Sequence, residues 1–149
     1  MEAMSSPRPV PFATTLLVRD ACLCLHVQRA ARALARRFDE ALRPVGLTNG
    51  QFSLLMSLNR PESPSMAPVA ALLAMDRTTL TAALKPLARR GLLRVMPDPN
   101  DRRGRLLLLT TKGQEALAAA VPIWEQTHRE VEAGLTDAER LRGNLRALC

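Results

Sequence analysis

Two stretches of the chain carry residues whose types and spacing suit recognition of a polyanion. The first is Asp76-Arg77-Thr78-Thr79-Leu80-Thr81 with Lys85 beyond it; the second is Asp98-Pro99-Asn100-Asp101-Arg102-Arg103-Gly104-Arg105. An arginine offers guanine a bidentate fork, and threonine methyls and hydroxyls touch thymine methyls, bases or phosphates. Lys85, one turn after Thr81, suits a phosphate. In the second stretch, Arg102, Arg103 and Arg105 crowd a short loop, and guanidinium groups on such a tip enter a minor groove, whose negative potential is strongest where it narrows. Asp101 reads as a brace: a carboxylate near phosphates is repelled unless it pairs with an arginine and fixes its direction.

These residues need elements to hold them. From Asp20 onward, Leu23, Val27, Ala30, Ala31, Leu34, Phe38, Ala41, Leu42 and Val45 recur every three or four positions, which predicts a long amphipathic helix ending near Pro44 to Gly46. Thr48 with Gln51 forms a capping-box pattern for a second helix that turns Phe52, Leu55 and Met56 inward. After the proline-containing loop Asn59 to Ser65, Ser65 is expected to cap a helix burying Val69, Leu72 and Leu73. Asp76 is expected to cap another from Arg77 to Arg90, closed by Gly91. With Leu80, Ala83, Leu84 and Leu87 inward, Arg77, Thr78, Thr79, Thr81 and Lys85 must face out.

Leu92 to Met96 and Arg105 to Leu109 then read as the two strands of a hairpin. Thr111 with Gln114 predicts the start of a helix through Leu117, Ala120, Val121, Trp124 and Val131, ended by Gly134. Thr136 with Glu139 predicts a short last helix through Leu141, Leu145 and Leu148. The order of parts is mainly α with a small β-hairpin, a winged helix-turn-helix, and its expected partner is double-stranded DNA. The outer helices are more apolar than one small domain uses up, so self-association through the N- and C-terminal helices is expected, with a twofold homodimer placing two reading helices on one side of a duplex.

Bulk properties agree with this. At 149 residues the chain has room for one ordinary domain, and its 21 Lys plus Arg against 14 Asp plus Glu leave a net charge of +7 that favours polyanions. Aromatic residues make up only 3%, too few for the stacking platforms of single-strand binders. No Ser/His/Asp set, phosphate-cradling glycine loop or paired-acid motif points to an enzyme. Three cysteines, Cys22, Cys24 and Cys149, are too few for a secreted disulfide framework, so a reducing cytoplasm is expected. The first residues show neither a signal peptide nor a membrane span.

Asp101-Arg102-Arg103 followed by Leu108-Leu109-Thr110-Thr111-Lys112-Gly113, after Leu87-Ala88-Arg89-Arg90-Gly91-Leu92, resembles the signature of MarR-type transcriptional regulators. The resemblance runs from about Cys22 to Thr136 and includes Leu47-Thr48 ahead of Gln51-Phe52. It implies a homodimer of winged helix-turn-helix subunits on a near-palindromic operator, usually a repressor, released when a small, often aromatic or phenolic effector enters a crevice between the dimerisation helices and the DNA-binding lobe. By the same resemblance the reading helix is Arg77 to Arg90, the wing is Pro97 to Arg105, and Arg103 enters the minor groove. The chain departs from the pattern at Ala74, where such turns often carry glycine, and at Pro86, where a kink is expected inside the reading helix.

The expected division is a flexible or dimer-draped arm over residues 1–15, a dimerisation helix over 16–47, the DNA-binding lobe over 48–110 and C-terminal dimerisation helices over 111–149. His26, Met56 and Trp124 are the candidates for the effector crevice. Cys22, Cys24 and His26 lack a fourth partner for structural zinc, so no metal is expected, nor any cofactor. Cys24 falls near the reactive cysteine of the organic-peroxide-sensing branch of the MarR family, which makes Cys22 and Cys24 redox candidates, although the tyrosines that serve the thiolate in that branch are absent here. An alternative from another class is a winged-helix module that holds a protein partner; such a module predicts a neutral wing.

Overall fold

The computed structural model describes residues 8–149. The chain divides into two units, Met1–Arg36 and Arg37–Cys149.

In the first unit, α1 (Phe12–Ala21) follows Pro11, and Cys22 leaves helical geometry at ψ 107° before α2 (Leu23–Leu42) begins. Two expectations change here. The arm was expected to run to residue 15, yet the helix starts at Phe12, because the prolines stop at Pro11 and the segment Phe12 to Val18 contains neither proline nor glycine. The rest of that arm, residues 1–7, lies outside the described residues. The amphipathic helix, expected to be unbroken from Asp20, is interrupted at Cys22, although backbone bonding bridges the break. The Cys22 amide donates to the Val18 carbonyl, and the Cys22 carbonyl accepts from the His26 amide at 3.1 Å and from His26 Nδ1 at 2.8 Å. Leu23, Val27 and Leu34 on the apolar stripe of α2 remain exposed.

The second unit takes in the C-terminal end of α2, a 3₁₀ turn (Arg43–Val45), α3 (Asn49–Ser57), α4 (Met66–Leu73), α5 (Arg77–Arg89), β1 (Leu93–Asp98), β2 (Asp101–Leu109), α6 (Thr111–Ala133) and α7 (Ala138–Arg146). The capping box at α3 forms as expected, with Gln51 N–H donating to Thr48 Oγ1 and Thr48 N–H to Gln51 Oε1. Asp39 Oδ1 accepts from both the amide and the side chain of Asn49, each at 2.7 Å, which ties the end of α2 to the start of α3.

One core holds this unit together. Leu42, Leu55, Val69, Leu80, Leu87 and Leu107 have no exposed surface. Each such aliphatic side chain contributes about 1.5–3 kcal/mol by leaving water. One inward assignment on α4 is corrected. Leu72 is 63% exposed, whereas Leu73 is half-buried and packs against the core beside the buried stripe of Met66 and Val69. Ser65 makes no side-chain cap. Its backbone bridges Leu106 instead, and the adjacent Pro64 carbonyl accepts the Leu107 amide at 2.9 Å, adding a third-strand contact to the hairpin.

The turn between α4 and α5 keeps its shape without glycine. Ala74 itself adopts the left-handed conformation at φ 51°, ψ 41°, a geometry that costs an L-residue about 1–2 kcal/mol. α5 runs unbroken through Pro86 to Arg89, one residue short of the expected end, and Gly91 follows at φ 73°.

The strands are longer than expected, so that the turn shrinks to Pro99-Asn100. Antiparallel pairing runs from Leu93 with Leu109 to Pro97 with Arg105, then shifts to Asp98 with Asp101. α6 starts at Thr111 as expected, but the caps of the last two helices differ. α6 is capped by Thr110, not Thr111: its Oγ1 accepts from the Gly113 amide at 3.0 Å and donates to the Gly91 carbonyl at 2.6 Å. α7 is capped by Asp137, not Thr136, through the Arg140 amide at 2.9 Å, while Glu139 pairs with Arg142 and Arg146. In each case the residue that caps has an extended backbone and supplies the accepting side-chain oxygen.

Lys112 and Gly113 lock α6 to the corner after α5. Lys112 Nζ donates to the Arg90 carbonyl at 2.9 Å. A β-carbon on Gly113 would stand 2.0 Å from the Leu92 carbonyl oxygen and 2.8 Å from Leu109 Cδ1, both inside contact distance. Gly113→Ala is therefore expected to destabilise the protein by about 1–3 kcal/mol or more, read as a lower denaturation midpoint. A midpoint equal to wild type would show that α6 does not press on Leu92.

Candidate nucleic-acid interface

The interface is built outward from the buried side of α5. Because Leu80, Leu84 and Leu87 are buried, the helical period turns Arg77, Thr78, Thr79, Thr81 and Lys85 to solvent, where all five are exposed. Asp76 caps the helix, its Oδ1 accepting the Thr79 amide at 2.7 Å and its Oδ2 the Thr79 hydroxyl at 3.0 Å. The Thr79 amide, then its hydroxyl, hold the Asp76 carboxyl below the usual carboxylate range.

These bonds sort the threonines. Thr79 commits its hydroxyl proton to Asp76, and Thr81 donates its own to the Arg77 carbonyl at 2.8 Å. Both present methyl groups and oxygen lone pairs outward. Thr78 makes no side-chain hydrogen bond among the described residues, so its hydroxyl is available as donor and acceptor.

A cleft of about 270 Å³ lies between α5 and the hairpin. Arg77, Thr81 and Lys85 line it from the helix and Arg105 from β2, over an apolar floor that includes Met66, Leu84 and Val95. Thus four of the expected DNA-facing residues share one cationic cleft. Arg105 belongs to this cleft at the root of the wing, with its Nη1 bonded to the Gly104 carbonyl, while Arg102 and Arg103 sit further out.

Arg102, Arg103 and Gly104 form the extra length of β2 between its pairing at Asp101 and its pairing at Arg105. Asp101 does brace this bulge, though through the backbone: its Oδ1 accepts the Arg103 amide at 3.0 Å, and it forms no ion pair with an arginine among the described residues. Asp98 accepts the Asn100 amide at 2.8 Å and tightens the turn in the same way. Gly104 permits the compact tip, since a β-carbon there would lie 3.0–3.1 Å from the side chains of Asp101 and Asp98. Both arginines are left exposed on a stiffened backbone.

The three effector candidates fall in separate places. Trp124 lines a hollow of about 270 Å³ with Phe38, Leu42, Asn49, Phe52, Ser53 and His128. Its ring stacks on Phe52 and His128, with centroids 6.1 and 4.8 Å apart and interplanar angles of 22° in both pairs. Met56 lines a different hollow with Asn59, Gln114 and Leu117, and His26 is exposed on α2 in the first unit. Sequence reasoning missed Phe38, Asn49, Phe52, Ser53 and His128 as lining residues; the four-residue step from Trp124 to His128 was the available signal. Lys112, which anchors the corner after α5, was missed because its partner is a backbone carbonyl.

All three cysteines are free; Cys22 is half-buried, and Cys24 and Cys149 are exposed. Gln28 Nε2 lies 3.2 Å from Cys24 Sγ and donates to it. Among the described residues no three His, Cys, Asp or Glu side chains gather as a metal site, and no helix is long and apolar enough to cross a membrane.

Comparison with known proteins agrees with this geometry. The sequence profile of the MarR family matches residues 47–104. The chain is 33% identical over 105 residues to the multiple antibiotic resistance protein MarR of Escherichia coli K12, covering 70% of this chain and 73% of that protein. It is 30% identical over 132 residues to the transcriptional repressor MprA of the same organism, covering 87% and 72%. Among solved structures, the transcriptional regulator MosR of M. tuberculosis in complex with DNA superposes with a TM-score of 0.80 at 42% identity, over 85% of this chain and 92% of that one.

The lowered Asp76 carboxyl leaves a pH signature. A group whose folded pKa is depressed contributes stability above its unfolded value of about 3.9, and that contribution is lost as pH falls through the folded value. Asp76→Ala is expected to lower Tm near neutral pH, and the gap to wild type is expected to close below about pH 4. A gap that stays constant into acid would remove the cap as its cause.

Proposed function

The chain belongs to the MarR family of DNA-binding transcriptional regulators, and we propose that it works as a homodimeric repressor that leaves a near-palindromic operator when a small aromatic effector binds. The observation that carries the operator assignment is the convergence of Arg77, Thr81, Lys85 and Arg105 on one cleft between α5 and the wing. In this reading Arg77 and Thr78, at the first turn of α5, meet base edges, with Thr79 and Thr81 adding methyl contacts. Lys85 and Arg105 hold phosphates, and Arg102 and Arg103 on the braced bulge enter the minor groove. Membership of this family and an arginine-rich wing argue against a module that only holds a protein partner.

Residues 48–110 form the DNA-binding lobe, and residues 16–47 and 111–149 the dimerisation helices. The exposed Leu23 and Leu34 of α2 and the exposed Leu141, Leu145 and Leu148 at the C-terminal end support pairing through these regions. The aromatic-lined hollow at Trp124 supports the effector role, and the residues there supply stacking faces together with the hydrogen-bonding groups of Asn49, Ser53 and His128. A comparable protein, BpsR of Bordetella bronchiseptica, has its DNA binding regulated by 6-hydroxynicotinic acid; the chain is 29% identical to it. Such a regulator acts in the cytoplasm.

Titration of duplex DNA at several salt concentrations tests the operator reading. Each phosphate contacted contributes about −0.9 to the slope of log affinity against log salt. Arg103→Ala is expected to weaken binding to all duplexes, most for those with a narrow minor groove, whereas Arg77→Ala is expected to relax base preference by about 1–3 kcal/mol. Equal binding by wild type and both variants would discard the site.

A second reading, thiol-based sensing, is favoured by the exposed Cys24 Sγ, which accepts a hydrogen bond from Gln28. Peroxide treatment is then expected to release DNA from wild type and not from Cys24→Ser. The same response from both proteins would exclude Cys24.

A further inference from the structure

His26, Arg29, Arg32 and Arg36 line a surface hollow of about 540 Å³ on α2, with Ala30 and Ala33 between them. At about 100° and 1.5 Å per residue, the three arginine stems fall within roughly a 60° arc and step about 4.5 and 6 Å along the helix. All three are exposed, and none forms an ion pair among the described residues. Arg32 reaches only the Gln28 side-chain oxygen, at 3.4 Å.

Nothing on the helix itself explains this row. From Leu23 to Arg36 there is no Asp or Glu, and the preceding Asp20 is bonded to Arg19. Like charges one turn apart repel, and the helix dipole adds positive potential at the Leu23 end. The row therefore weakens the helix that carries it. The alanines between the arginines leave room for the stems to lie along the helix.

Unpaired guanidinium groups in series select an anion with several charged oxygens, and their planar forks match phosphoryl groups better than an ammonium would. Three such groups spaced along about 10 Å of helix can meet more than one phosphoryl group at once. We propose that this face of α2 binds a small ligand carrying a diphosphate group, gripped by Arg29, Arg32 and Arg36. His26 borders one end of the row, its ring held by the bond from Nδ1 to the Cys22 carbonyl. None of these residues belongs to the proposed operator interface.

The test is calorimetric titration of the full chain with pyrophosphate at constant ionic strength. Wild type is expected to bind saturably, and the variant Arg29→Gln/Arg32→Gln/Arg36→Gln to bind at least about tenfold more weakly, because charge-assisted forks are lost. Glutamine is nearly as good a helix former, so circular dichroism should match wild type. Arg32→Lys, which keeps the charge and loses the fork, is expected to weaken binding as well and decides the question if the triple variant does not fold. The wing variant Arg102→Ala/Arg103→Ala is expected to bind pyrophosphate as wild type does. Unchanged affinity in the α2 variants, loss in the wing variant, or orthophosphate binding as tightly as pyrophosphate would each overturn the proposal. So would a shallower salt dependence of duplex binding in the triple variant with pyrophosphate binding intact, which would assign the row to the DNA backbone.

Discussion

Burial of one stripe of α5 is the constraint on which the interface rests. Leu80, Leu84 and Leu87 leave water together, and a rigid helix cannot hide that stripe without turning the opposite one outward. Arg77, Thr81 and Lys85 are exposed for this reason and need no interaction of their own to hold them there. The Asp76 cap fixes where the helix begins and so which residues make up its first turn. Hydrophobic burial thus sets the direction of the interface, and one carboxylate sets its register.

The wing follows a different logic, since its arginines have no core to aim them. Its stiffness comes from backbone amides: Asp98 takes the amide of Asn100, Asp101 that of Arg103, and Gly104 lets the strand pass close to both carboxylates. The result is a bulge whose backbone is held and whose guanidinium groups are not. Behind it, Thr110, Lys112 and Gly113 fasten the start of α6 to the carbonyls of Gly91, Arg90 and Leu92. These contacts join the start of α6 to the corner between α5 and β1.

The cationic groups divide by their neighbours. Arg37, Arg142 and Arg146 are spent on carboxylates, with Glu130, Glu132 and Glu139 held below their usual pKa by hydrogen bonds, first from Gln126, Arg142 and Arg146 respectively. Exposed pairs of this kind add little stability. Arg29, Arg32, Arg36, Arg77, Arg102 and Arg103 are among the arginines with no such partner among the described residues, which leaves them free for an external anion.

Elements set by local chemistry were legible in the residues themselves. The Thr48–Gln51 box, the Asp76 cap and the three-and-four spacing of the leucines of α5 depend on neighbours within a turn, so the order of helices from Asn49 onward, the hairpin and the outward set on α5 could be read directly, whereas the separate α1 could not. What needed tertiary structure involves partners distant in sequence. Leu72 looked as buried as Val69 until the packing of a two-turn helix chose one stripe, and Ser65 looked like a cap until Leu106 claimed its backbone. Thr110 displaced Thr111 because Gly91 waits to accept its hydroxyl. The meeting of Arg105 with Arg77, and of Phe38 and Phe52 with Trp124, joins segments that no periodicity links, since side-chain spacing along one element carries no record of which other element lies across from it.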